Sequence, residues 1–241
     1  MAARLLDPHS RTTSLPLQQG FLEVNGATLP GRCATDAFDV LVDGAGELLV
    51  VVVHTVGKGT NDPELPRAAL SIARDAVNAG ARTYEVVREL RNYCVGREAE
   101  VALALLRFSQ RDSRVELLNA GMPAFVCVLP DGRTTTHAAL SSAIGARYGE
   151  VHPYELSPLV WGSTWFVMTS GATQGALEGD AVEAHLAQHE LDRVGTLLAM
   201  QPSGALLPVV ESLAGGTPES DATLVVVSTD AARRKRSGIV T

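Results

Sequence analysis

The sequence predicts an α+β protein built on antiparallel sheets, with helices covering their outer faces. Two observations lead there. Apolar, β-branched segments follow one another across short polar turns, and the helical segments fall into blocks instead of alternating with single strands. A doubly wound parallel sheet would need a crossover, usually a helix, between parallel neighbours.

The elements follow in order. "FDVLVDGAGELLVVVVH" reads as two strands joined by the turn Asp43 to Gly46, a hairpin. After "GKGTNDPELP" the spacing predicts helices over Arg67 to Ala79 and Thr83 to Cys94, with Gly80 supplying a left-handed stop between them. Glu100 to Phe108, Arg114 to Gly121, Ala124 to Pro130 and "GRTTTHA" are divided by "SQRDS", "GMP" and "DG", and are expected to form an antiparallel meander. "GEVHPYELSPL" and "STWFVMTSG" read as a further strand pair. Helices are expected over Asp180 to Arg193 and near Leu206 to Leu213, and "DATLVVVSTD" is the last strand. No repeat, low-complexity tract or Pro/Gly/Ser-rich linker divides the chain, so its 241 residues are read as one domain.

Composition excludes several classes. A formal net charge of -7 argues against a protein that tracks nucleic-acid phosphates, which needs a basic footprint. The basic run "RRKR", Arg233 to Arg236, reads as a solvated tail. Cys33, Cys94 and Cys127 form no C-x-x-C pair and imply reduced thiols, neither a disulfide framework nor a zinc knuckle. The longest apolar run, Leu48 to Val53, is too short to span a bilayer, and the N-terminus lacks a continuous apolar region. A soluble cytoplasmic protein is expected, with no nucleic acid or membrane as partner.

Common catalytic motifs are incomplete. "VGKGT" lacks the full G-x-x-x-x-G-K-[ST] phosphate loop, although Lys58 and the turn glycines Gly57 and Gly59 leave a small-anion or nucleotide site as a third reading. His185 and His189 share a helix face at i and i+4 but lack the adjacent Glu of H-E-x-x-H, so a solvated face is the simpler reading. No G-x-S-x-G elbow occurs, and no Ser, His and acid can be grouped by sequence alone, which counts against a serine hydrolase. What stands out is a set of strand-end positions: Asp36 and Asp39, His54, Ser170, Ser220 and Asp221. Their shared placement predicts one rim of a sandwich.

The ordered motifs "TDAFDVLVDGAGELLVVVVHTVGKG", "VELLNAGMPAFVCVLPDG", "WFVMTSGATQGA" and "ESDATLVVV" resemble the PPM-type, metal-dependent protein serine/threonine phosphatases of the bacterial SpoIIE, RsbU and RsbX group. Residues 18–230 carry the resemblance, leaving residues 1–17 as an N-terminal extension and 231–241 as a basic tail. The size is most similar to RsbX. The resemblance implies an α-β-β-α sandwich of two antiparallel sheets flanked by helices. It also implies Mn²⁺ or Mg²⁺ ions at one end, where a metal-bound hydroxide attacks a phosphoserine or phosphothreonine.

Carried over by position, the family's first metal aspartate falls on Asp36, and its Asp-Gly falls on His54 and Thr55. The Ser/Thr-Asp-Gly falls on Thr169, Ser170 and Gly171. The final Asp-Asp-x-Thr falls on Ser220, Asp221, Ala222 and Thr223, and Asn-Ala-Gly-His reads Asn119, Ala120, Gly121 and Met122. His54, Ser170 and Ser220 thus replace carboxylates, and Asp36 alone cannot supply the charge and ligand number of an oxygen-rich two-metal site. Asp39 and Asp221 are substitute ligands that, with Asp36 and His54, could build one mixed N/O site. Strand alternation would turn Asp221 away from Ser220 if the last strand has already begun there.

No residue is assigned to catalysis on this basis. The resemblance implies a pseudophosphatase that binds a phosphorylated regulatory partner, of the STAS-domain or switch-kinase type, in a partner-switching or stress-response pathway, with no metal or a weakly held one. The alternative is an active, divergent phosphoserine/phosphothreonine phosphatase that uses Mn²⁺ or Mg²⁺.

Overall fold

The computed structural model describes residues 17–19, 22–57, 62–145, 153–173 and 206–229. The expected helix at Asp180 to Arg193, the pair His185 and His189, the turn residues Lys58 and Gly59, and the basic tail lie outside them.

Strand β1 (Leu17–Gln19) pairs with β2 (Leu22–Leu29), and β3 (Asp36–Val42) forms the predicted hairpin with β4 (Leu48–Val56). Helices α1 (Leu65–Asn78) and α2 (Thr83–Val95) follow. Gly80 stands between them at φ 81°, the left-handed stop read from the sequence. Then come β5 (Glu100–Ser109), β6 (Arg114–Ala120), β7 (Phe125–Val128), β8 (Thr134–His137), β9 (Glu155–Pro158) and β10 (Thr164–Met168). The short helix α3 (Ser170–Thr173), helix α4 (Leu206–Ala214) and β11 (Ala222–Thr229) complete the described elements.

Two antiparallel sheets result, ordered β1-β2-β11-β10-β7-β8 and β3-β4-β5-β6-β9. Their inner faces share one core, in which Val50, Val52, Ala104 and Leu106 meet Leu22, Val24, Trp165, Val225 and Val227. On the outer face of the five-stranded sheet, Leu49, Val51 and Val53 pack with Ala69, Ala73, Val86 and Leu90 of α1 and α2. On the other side, Phe166, Leu224 and Val226 pack with Val209, Val210 and Leu213 of α4. The architecture is the expected α-β-β-α sandwich.

This layering explains the unbroken run "LLVVVV". Successive β4 side chains point to opposite faces, and both faces are covered, so Leu48 to Val53 are all 0% exposed. Burying each such side chain is worth about 1.5–3 kcal/mol. The same alternation sorts β3: Phe38 packs with the inter-sheet core, whereas Asp39 faces the helices.

Three expectations need correction. The meander is not continuous, because β6 pairs with β9 while β7 pairs with β10, so the "GMP" turn crosses from one sheet to the other. Asn119 shapes that crossing: its amide oxygen accepts from Met122 N at 3.0 Å and its amide nitrogen donates to Pro123 O at 3.0 Å. Likewise β9 and β10 are not partners but belong to different sheets. "STWFVMTSG" is strand only to Met168, and Ser170 opens α3. Strand β2 is not marked in the sequence, because Asn25 and Gly26 at its centre are poor strand formers; its pairing with β11 holds it in place.

Candidate functional site

The site lies where the two sheets present strand ends to each other: the start of β3, the end of β4, the end of β10 and the approach to β11. Antiparallel register places Asp36 opposite His54 and Met168 opposite Leu224. Asp36 and His54 sit on the inter-sheet side because they share parity with Val52 and Val50.

Asp36 is the hub. Its Oδ1 accepts from His54 Nδ1 at 2.6 Å and from the Thr35 hydroxyl at 3.2 Å, while Oδ2 accepts from the Thr169 hydroxyl at 2.7 Å. The Thr169 bond ties the two sheets together at this end. Thr169 is itself fixed, its hydroxyl accepting from Thr223 N at 2.9 Å and its N–H donating to Thr223 O at 3.0 Å.

His54 passes the chain outward. Its Nε2 lies 2.9 Å from Ser170 Oγ. A carboxylate has no proton to give, so Nδ1 carries the ring hydrogen and donates it to Asp36. In that tautomer Nε2 is the acceptor and the Ser170 hydroxyl donates. Side-chain exposure is 0% at Asp36 and 8% at His54, and Ser170 is half-buried, so the chain runs from interior to surface.

Asp221 precedes β11, so the alternation that would have turned it away from Ser220 does not yet apply. Its carboxylate points inward. Oδ1 accepts from Gly31 N at 2.8 Å, and Oδ2 accepts from Thr35 N at 3.0 Å and Asp36 N at 3.2 Å. Burial pushes its carboxyl above the ordinary range, with the Asp36 charge adding to the effect, against the downward pull of these N–H donors. Asp221 therefore splices the loop before β3 to the start of β11.

Ser220 forms a parallel bridge with Cys33, and Thr55 N donates to Thr35 O at 2.9 Å. Gly57 directly follows β4. Gly171 passes so close to Asp221 that an added Cβ would strike the Asp221 carbonyl oxygen, which explains a glycine after Ser170.

Asp39 is not brought to this rim. It lies on the outer face of β3, where Arg74 of α1 donates to its Oδ2 from Nε at 2.8 Å and also from Nη2. As a substitute ligand it is ruled out by orientation, since neighbouring strand residues face opposite sides. The sequence-predicted rim thus gathers Asp36, His54, Ser170, Ser220 and Asp221, without Asp39.

The donor set does not fit the metal centre implied by the resemblance. Each oxygen of Asp36 and Asp221 already faces a protein N–H or O–H, and both imidazole nitrogens of His54 are engaged. Among the described residues no group of three or more His, Cys, Asp or Glu is arranged to hold a metal ion. Hard divalent cations need several free oxygen ligands, and here most of the carboxylate lone pairs are directed at the protein itself.

The sequence could not group a serine, a histidine and an acid, yet the fold does so with Ser170, His54 and Asp36. The signal was present in the strand-end positions, since Asp36, His54 and Ser170 converge on a single point. What sequence could not supply was the rotamers that link them.

The family model for Stage II sporulation protein E (SpoIIE) matches residues 44–230. Among solved structures, the PP2C phosphatase domain of SpoIIE from Bacillus subtilis, with a fragment of its regulatory domain, superposes at TM-score 0.69 and 15% identity, covering 87% of this chain and 62% of that one. The RsbU and RsbW domains of Rv1364c from Mycobacterium tuberculosis give TM-score 0.73 and 21% identity over 94% and 64% of the two chains. RsbX in complex with magnesium gives TM-score 0.64 and 14% identity over 89% and 98%. The chain therefore spans less than two thirds of the first two structures and nearly all of the third. At these identities the likeness establishes a shared fold, the two-sheet sandwich of PP2C-type phosphatase domains. No curated protein matches the sequence at a significant level. Among the described residues no helix is long and apolar enough to cross a membrane.

Proposed function

The chain belongs to the family of Stage II sporulation protein E (SpoIIE), and from that premise we propose that it is a phosphatase-like regulatory protein of a bacterial partner-switching or stress-response pathway. It binds a phosphorylated regulatory protein, of the STAS-domain or switch-kinase type, without metal-dependent turnover. The observation that carries this reading is the use of Asp36 and Asp221. Both retained acids accept hydrogen bonds from the protein's own backbone and side chains, and the aligned positions His54, Ser170 and Ser220 carry no negative charge. Without metal-bound hydroxide there is no nucleophile of the family's kind for a phosphate ester.

The structural likeness to a chain holding RsbU and RsbW domains supports a partner from the same kind of switch. The test is calorimetry with a phosphorylated and an unphosphorylated STAS-domain protein, together with Mn²⁺ and Mg²⁺ titrations and a phosphate-release assay. Saturable binding of the phosphorylated form without phosphate release is expected. Mn²⁺- or Mg²⁺-dependent phosphate release that disappears in Asp36→Ala would establish the divergent phosphatase instead.

A further inference from the structure

We propose that Ser170, His54 and Asp36 form a metal-free nucleophilic site that cleaves carboxylic esters through an acyl-serine intermediate. Three observations point there. The contacts have the connectivity that serine activation requires: carboxylate to Nδ1 at 2.6 Å, and Nε2 to hydroxyl at 2.9 Å. The order of exposure is also right, with the hydroxyl outermost, the imidazole behind it and the carboxylate fully enclosed. Finally, the carboxylate is held from its far side by Thr169, so it cannot swing away from the ring. These side chains come from β3, β4 and the start of α3, which only the packed sandwich brings together.

The chemistry balances without a cofactor. Ser170 Oγ bonds to the ester carbonyl carbon while its proton passes to His54 Nε2, and Asp36 holds the resulting imidazolium through Nδ1–H. Collapse of the tetrahedral adduct breaks the bond to the alkoxy oxygen, which leaves as alcohol with the proton from Nε2. Water then adds to the acyl carbon and gives its proton to Nε2. The bond from carbon to Oγ breaks, Oγ recovers the proton, and a carboxylic acid departs. The net reaction is ester plus water to acid plus alcohol.

Local charge is compatible with a neutral acyl substrate. Asp221 lies directly behind Asp36, accepting from its backbone N–H, so two acids stand together at this rim. A neutral ester carbonyl meets no charge repulsion from them.

The site is independent of phosphoprotein docking, and its test needs no partner. The full chain is incubated with an alkyl fluorophosphonate, and the adduct is located by peptide mass spectrometry. p-Nitrophenyl butyrate hydrolysis gives kcat and KM. The adduct is expected on Ser170 and absent from Ser170→Ala. His54→Gln, confirmed as folded by its melting transition, should label about 100-fold or more slowly, the scale of a lost general base. Asp36, a positioning residue, should show its role as a fall in kcat with KM unchanged in Asp36→Asn. A folded wild-type protein without adduct at Ser170 overturns the proposal, as does labelling of His54→Gln at the wild-type rate.

Discussion

Asp36 and His54 are register partners across the β3–β4 hairpin, and their side chains meet in a 2.6 Å hydrogen bond on the inter-sheet face. An acid at position 54 would set two carboxylates against each other in a buried corner, an arrangement that needs a cation or a shared proton between them. Imidazole removes that need by donating to the carboxylate. The prediction is that His54→Asp destabilises the metal-free protein by ~1–3 kcal/mol, which lowers Tm by about 2–4 °C for each kcal/mol. Mn²⁺ should recover part of the loss.

Restoring carboxylates together, as His54→Asp, Ser170→Asp and Ser220→Asp in one chain, should raise divalent-metal affinity well above that of the native sequence, because ligand charge and number both increase. Calorimetry on the folded triple variant checks this. No gain would mean that the correspondence of these positions to the family's metal ligands is wrong.

Asp221 is a splice between segments far apart in sequence, since its carboxylate accepts from Gly31, Thr35 and Asp36 N–H groups. Asp221→Ala leaves these buried donors without that acceptor. A loss of about 3 kcal/mol is expected, because an orphaned buried donor costs roughly 1–3 kcal/mol and the loop can relax in part. Urea unfolding would show a lower midpoint at unchanged slope.

The sheets and helices were legible because their signals are local. Alternation and β-branching mark β3 and β4, and the spacing of Ala69, Ala73, Val86 and Leu90 marks α1 and α2. Which strands pair across the sandwich was not legible at "GMP", because a short turn can close a hairpin or cross between sheets. Asn119, which bonds Met122 and Pro123, decides it for the crossing. The rim was legible as a set of strand ends. Asp39 was misassigned because a single parity step sends it to Arg74, and parity depends on where a strand begins.

That Asp39–Arg74 pair carries its own prediction. The Asp39 side chain is 6% exposed, and Arg74 reaches it from α1 across the outer face of the sheet. Arg74→Ala would leave a buried carboxylate uncompensated, at a cost of about 3 kcal/mol or more. Labelling of Ser170 in the still-folded fraction should be unchanged, because the pair is on the other face of β3. A thermal melt and a labelling time course together separate the two effects.

Cys94 supplies a pH prediction. It is 0% exposed on the buried face of α2, and burial, with Glu100 adding, pushes its thiol from 9.0 up to about 11. Cys127 is also buried and raised, chiefly by burial, whereas Cys33 is exposed. In the native protein at mildly alkaline pH a thiol reagent should therefore modify Cys33 first, with Cys94 and Cys127 reacting only after unfolding. The sign of the linked stability follows from proton binding. Between the ordinary thiol value and about 11 the folded state keeps the Cys94 proton and the unfolded state loses it. The contribution is thus fully present below the ordinary value and is lost as pH rises through the folded one. It amounts to at most ~3 kcal/mol, from about 1.4 kcal/mol per pH unit. Melting curves from pH 8 to 11 should fall more steeply for the wild-type chain than for Cys94→Ala. Equal slopes would show that the thiol is not held protonated by the core.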